Sequence, residues 1–249
     1  MVLTDYDLES LEKTYFESIY YSLVENREKM IRGLASKDTI RKDWEDKFFK
    51  TSKQKQVSEL AAGAERIFYS LLPSMWKPNS APIGSDLFFE STDAFIHIDV
   101  KTATKKNTSD YKGKVTIGRN QTSYDSKQTH TGKPTAVNPN LPQYYNKDSD
   151  KEKPCLTYTI QMIHDPKSLG IIAILLVSIP NGQLYNIYGN KIVGAGKNKD
   201  LSMRYEYKNN FTFDTLPSRP HRVKFIYFSD KYYLSTKKIT TCDEITAER

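Results

Sequence analysis

The chain has 249 residues, 38% of them hydrophobic and 27% charged, with 37 Lys and Arg against 30 Asp and Glu for a formal charge of +7. That is long enough to bury a proper core in one large α/β domain, while two cysteines are too few for a disulfide scaffold. The surplus of base suits a polyanionic partner such as nucleic acid, and Cys155 and Cys242 suit a reducing compartment.

The opening "MVLTDYDLESLEK" is acidic where a signal peptide would be basic. The spacing of Leu8, Leu11, Tyr15, Ile19 and Leu23 behind Thr4, with Asp7 three residues on, predicts a capped helix. A second short helix is expected over 38–50, and a third over 55–72, ended by Pro73. After "WKPNSAPIG" the sequence turns to β-branched and aromatic runs cut by Gly, Pro and Asn. Strands are expected at 86–90, 95–101, 114–118, 155–163, 171–179, 183–188 and 222–228. The polar stretches 103–153 and 189–210 read as long functional loops. The longest apolar run, at 170–179, is about half of a membrane span. The expectation is a soluble, cytoplasmic protein of one domain, with a helical part over about 1–75 and a sheet with its loops over about 80–249.

The chemistry gathers in "GSDLFFESTDAFIHIDVKT", residues 84–102. Strand side chains alternate faces, so Ile96, Ile98 and Val100 share a core face while Phe95, His97, Asp99 and Lys101 share the other. An even loop around "STDA" makes an antiparallel hairpin whose paired residue numbers add to 185, setting Asp86 opposite Asp99 and Phe88 opposite His97. Opposed Cβ atoms lie about 4.5–5.5 Å apart, and like charges so placed repel. Two carboxylates there need a cation, a shared proton or much water, and Lys101 can offset only one of them. A divalent ion answers the problem, because Mg²⁺ takes one or two carboxylates together with waters and phosphate oxygens. A helical wheel with Val57 as origin puts Ala61, Ala64, Phe68 and Leu72 inward, Glu65 at the edge of that stripe and Glu59 away from it, so Glu65 could reach the pair or could remain a solvated flank residue. The bland alternative for the hairpin is a surface turn with Lys101 paired to either acid.

"SD" at 85–86, twelve residues, "DVK" at 99–101 and a helix glutamate upstream resemble the PD-(D/E)XK nuclease superfamily, with Ser85 in the proline place. The size, charge and polar loops most resemble a type II restriction endonuclease. The resemblance implies a mixed central β-sheet flanked by helices, and Mg²⁺-dependent hydrolysis of phosphodiester bonds in double-stranded DNA at a short specific site. It implies that Asp86, Asp99 and the main-chain carbonyl of Val100 ligate Mg²⁺, that Glu65 assists, and that Lys101 serves the attacking water. It also implies a homodimer meeting a palindromic site. Superfamily members usually place a helix after the third core strand, and none is evident between 119 and 155. Alternatives are a repair or junction-resolving nuclease of the same superfamily, or a non-catalytic DNA-binding protein.

For DNA contact, Arg119 is a candidate for guanine and Asn120 or Gln121 for adenine, although Asn120 could equally bond its own turn. Lys105, Lys106, Lys112, Lys114 and Lys127 are candidates for phosphate. The four histidines show no zinc-like spacing, and His97 is a candidate partner for the acids from one pleat away.

Overall fold

The computed structural model describes residues 3–39, 53–80, 84–130, 132–198, 201–207 and 211–232. Helix α1 (Asp5–Glu25) begins as expected: Thr4 Oγ1 accepts the Asp7 N–H at 3.2 Å and donates to Asp7 Oδ2 at 2.5 Å. Asn26 interrupts the run, its amide turned back onto the Ser22 carbonyl, and α2 (Arg27–Thr39) follows, within the part expected to be helical although no separate helix is predicted there. The helix expected over 38–50 lies almost wholly outside the described residues. Helix α3 (Lys53–Leu71) matches the third expected helix. Ala64, Phe68 and Leu72 face inward as the wheel required, while the side chains of Val57 and Glu59 lie outside the described residues.

The strands among the described residues are β1 (Lys77–Pro78), β2 (Leu87–Glu90), β3 (Phe95–Thr104), β4 (Lys114–Gly118), β5 (Ser126–His130), β6 (Lys133–Val137), β7 (Tyr144–Tyr145), β8 (Lys153–His164), β9 (Ile171–Ile179), β10 (Val193–Ala195), β11 (Ser202–Glu206) and β12 (Val223–Phe228). The main sheet runs β1-β2-β3-β8-β9-β12, with β7 also pairing β8. Only β3 and β8 are parallel among its described pairs, so the sheet is mixed. A parallel pair needs a crossover. Here residues 105–152 supply it with β4, the β5-β6 hairpin, β7 and two 3-10 turns, and the helix usual after the third core strand of the superfamily is absent among the described residues of that stretch.

Two sequence expectations are corrected. The strand expected at 183–188 is a 3-10 turn at Gly182–Leu184 running into the short helix α4 (Tyr185–Tyr188). Pro180 follows β9, and the Asn181 side chain then accepts the Gln183 N–H at 2.9 Å, a local bond that favours a turn over extended backbone. The two stretches read as loops carry strands, and β10 and β11 of the second stretch form a small sheet with β4 of the first.

That small sheet covers one face of the main sheet. Tyr207 Oη reaches Gln161 of β8 at 2.9 Å, and Gln161 Nε2 reaches the Asp110 carbonyl at 2.6 Å. The opposite face carries the helices: Leu8, Phe16, Ile19, Leu23 and Phe68 pack with Ile96, Ile98, Ile160 and Leu176 in one core. Burying each such side chain contributes about 1.5–3 kcal/mol, so the alternation of β3 fixes which residues face the helices and which face the small sheet.

Candidate active site

The hairpin has the expected register. Leu87 pairs with Ile98, Phe88 with His97, Phe89 with Ile96 and Glu90 with Phe95. Asp86 stands one residue before β2, and in place of a ladder contact its Oδ2 accepts the Val100 N–H at 2.6 Å. Asp99 is on β3, 4% exposed, and the parallel pairing sets Thr159 of β8 beside it.

The two oxygens of Asp99 have different surroundings. Oδ1 accepts from Gln121 Nε2 at 2.6 Å. Oδ2 lies 2.7 Å from Lys101 Nζ as an ion pair, and apart from that lysine this buried oxygen has no hydrogen-bond partner. Burial pushes the Asp99 carboxyl up to about 6, the charge of Asp86 adds to the rise, and the Lys101 ammonium opposes it. Glu65 on α3 is half-buried and also raised, first by burial and then by the charge of Asp86, with Arg66 opposing. The structure thus brings Asp86, Asp99 and Lys101 together and places Glu65 within electrostatic reach of Asp86.

Among the described residues no three His, Cys, Asp or Glu side chains form a ready cage for a metal. A buried carboxylate oxygen with no partner but that lysine, beside a second carboxylate that is itself exposed, is nevertheless the donor set of a hard, partly hydrated cation: two acids, with the other positions left to water and substrate. The residues present therefore fit a divalent ion.

His97 is sandwiched between Phe88, at 4.2 Å between ring centroids, and Tyr145, at 5.7 Å. The Ser85 hydroxyl lies 2.9 Å from its Nδ1 and the Tyr145 hydroxyl 3.0 Å from its Nε2. Burial pushes the ring down to about 3, so it stays neutral and serves as a bridge. Ser85, which resembles the superfamily's proline place, thus fastens the residue before Asp86. Tyr145 comes from β7, far along the chain, and no local pattern in the sequence announces it.

Arg119 and Asn120 are exposed, as DNA-contacting groups should be, although Asn120 Oδ1 accepts from the Asn140 amide. Gln121, expected beside them as a base contact, turns its amide inward to Asp99. Lys106, Lys112 and Lys127 are exposed and Lys114 is half-buried, whereas Lys105 pairs with Asp165.

Residues 5–168 match the family model "Type II restriction enzyme MwoI, N-terminal domain". The chain belongs to the MwoI restriction enzyme family. A second model, the MwoI central domain, matches 171–228, and β8 and β9, paired in the sheet, come one from each stretch. As a member of the MwoI family the chain is a site-specific deoxyribonuclease. The restriction endonuclease BglI bound to its DNA recognition sequence has a similar fold, with TM-score 0.68 and 15% identity over 88% of this chain and 90% of that one. Tetrameric SfiI bound to cognate DNA gives TM-score 0.63 and 15% identity over 92% and 87%. No curated protein matches the chain. Among the described residues no helix is long and apolar enough to cross a membrane.

Proposed function

We propose that this MwoI-family chain is a Mg²⁺-dependent endonuclease acting on double-stranded DNA as a homodimer in the cytoplasm, with all 249 residues forming one nuclease domain. The observation that carries the reading is the nearness of Asp86 to Asp99, with Lys101 beside Asp99 and one buried carboxylate oxygen that has no partner but that lysine. Asp86, Asp99 and the Val100 carbonyl hold the ion, and Glu65 supports it through water.

When bound, a divalent ion lowers the pKa of a coordinated water and draws charge from the phosphate. The chain's own groups do the rest. Asp99 and Asp86 orient the site, and the Asp86 bond to the Val100 N–H holds that carboxylate against β3. The Lys101 ammonium, on the same strand face as Asp99, polarises the attacking water and favours hydroxide beside it. His97 and Ser85 keep the entry to β2 in place. Arg119 and Asn120 read bases, and Lys106, Lys112, Lys114 and Lys127 contact phosphates. Two-fold symmetry gives two equivalent centres on a palindrome.

Incubation of the protein with a long DNA of known sequence and Mg²⁺ should yield discrete fragments, and a smear would exclude the site-specific reading. Asp99→Ala should abolish cleavage while DNA binding in Ca²⁺ persists. Activity in excess EDTA would exclude the metal.

A further inference from the structure

The segment proposed to meet DNA also touches Asp99 and the chain just before Asp86. The 3-10 turn Arg119–Gln121 follows β4 and exposes two side chains, Arg119 and Asn120. Its third residue points the other way. Gln121 Oε1 accepts the Gly118 N–H at 2.7 Å, which fixes the amide so that Nε2 donates to Asp99 Oδ1 at 2.6 Å. The middle residue presses on the other acid's segment: Gly84 has φ 81°, and a side chain there would collide with the Asn120 carbonyl oxygen. Asp86 is two residues beyond Gly84.

The turn is held at its outer side as well. The Arg119 N–H donates to the Leu201 carbonyl at 3.0 Å, and the Arg119 carbonyl accepts the Asn140 N–H at 2.8 Å. The turn is thus one bonded unit, and a contact made at Arg119 has a short path of bonds to Asp99 and a close approach to the chain entering Asp86.

We infer that Gln121 is a positioning residue that sets Asp99 for its ion, and that the Arg119–Gln121 turn makes this setting depend on DNA contact. A base-reading role for Gln121 would need its amide free, and it is engaged on both sides. Gln121 leaves Asp99 Oδ2 to the ion by taking Oδ1 for itself. The inference rests on the nuclease reading given above.

The test combines single-turnover cleavage at saturating DNA, Mn²⁺ affinity by titration calorimetry of the protein alone, DNA affinity in Ca²⁺ and Tm. Gln121→Met, of similar length but without the amide, should lose about 10–100-fold in rate or Mn²⁺ affinity with DNA affinity in Ca²⁺ unchanged, the size usual for groups that orient a metal ligand. Arg119→Ala should slow the cleavage step as well as weaken binding in the parent protein, but only weaken binding in the Gln121→Met background, since the two act through one path. Parental rate and Mn²⁺ affinity in Gln121→Met, a loss confined to DNA affinity, or additive effects of the two substitutions would each overturn the inference. Should Gln121→Met unfold, Gln121→Asn, whose amide falls short of Asp99, must show the same pattern at parental Tm, and unfolding of both would assign Gln121 to structure alone. If the parent protein neither cuts DNA nor binds Mn²⁺, the nuclease reading fails. If it does both and the variants match it, only the role of Gln121 fails.

Discussion

Among the described residues, the Arg222 cluster and the hairpin each gather two carboxylates near a cation, and they differ in how completely the charges are answered. Between α1 and β12, Arg222 is fully buried with Nη2 2.6 Å from Glu9 and Nη1 2.6 Å from Glu12. Glu9 also accepts from the Thr215 N–H at 2.7 Å, the Thr215 hydroxyl at 2.6 Å and the Tyr188 hydroxyl, and Glu12 accepts the Asn181 N–H at 2.7 Å. The guanidinium stacks over Phe213 at 4.1 Å. In the hairpin, Lys101 pairs with Asp99, Asp86 bonds the Val100 N–H instead, and the buried Asp99 Oδ2 has no partner but that lysine. Similar ingredients make a structural lock where several donors meet both acids, and leave room for a ligand where one buried oxygen has only a lysine.

The difference extends to acid. Burial would raise Glu9, but Arg222 and the bonds from Thr215 and Tyr188 outweigh it and hold Glu9 below its ordinary range. Its contribution to stability is therefore present above the unfolded-state pKa and is lost as pH falls through the lowered one. At Glu12 burial outweighs Arg222 and raises the carboxyl, and the same upward sense holds for Asp99. Its folded pKa, about 6, exceeds the ordinary 3.8, so the native state binds the proton more tightly and metal-free stability declines as pH rises through that window.

The largest effect should come from the lock. Arg222→Met leaves two buried acids without their cation and should cost about 3–5 kcal/mol in urea denaturation, while the folded fraction cuts DNA at the parental rate. A smaller loss would mean that the cluster is less buried than its 0% exposure indicates. Next, Asp99→Asn should stabilise the metal-free protein at pH 7 by up to about 3 kcal/mol, the equivalent of the raised pKa, while removing cleavage. The gain should shrink towards pH 4, and a gain independent of pH would detach it from Asp99 ionisation. The smallest change in stability belongs to Lys101→Ala. Its side chain is 28% exposed, and Asp99 can take up a proton when its partner goes, so the loss should stay near 1 kcal/mol and grow from pH 6 to pH 8. Its cleavage rate should nonetheless fall by orders of magnitude. A simple unfolding of this variant would return Lys101 to the structural class that Arg222 occupies.

The legibility of these two regions in the sequence also differs. The hairpin could be read because its information is local: a period of two, an even loop and acids with twelve residues between them fix the register that pairs Phe88 with His97. The cap of α1 was readable for the same reason. The lock was not, because Glu9 and Glu12 look like an ordinary helix flank and Arg222 stands more than 200 residues away. Likewise Gln121 reaches Asp99 from another sheet, and nothing in "GRNQTSY" announces it. The turn at 182–188 was misread because Leu184, Tyr185, Ile187 and Tyr188 have strand-like character, while the deciding bond comes from Asn181, outside the window.

The parallel pairing of β3 with β8 has a consequence for synthesis. A ribosome that has delivered Lys101 has already delivered both acids, yet the strand that lies beside Asp99 begins only at Lys153. Non-local pairing must wait for its partner. Until some fifty further residues emerge, the nascent chain carries Asp86, Asp99 and Lys101 without the strand that buries Asp99.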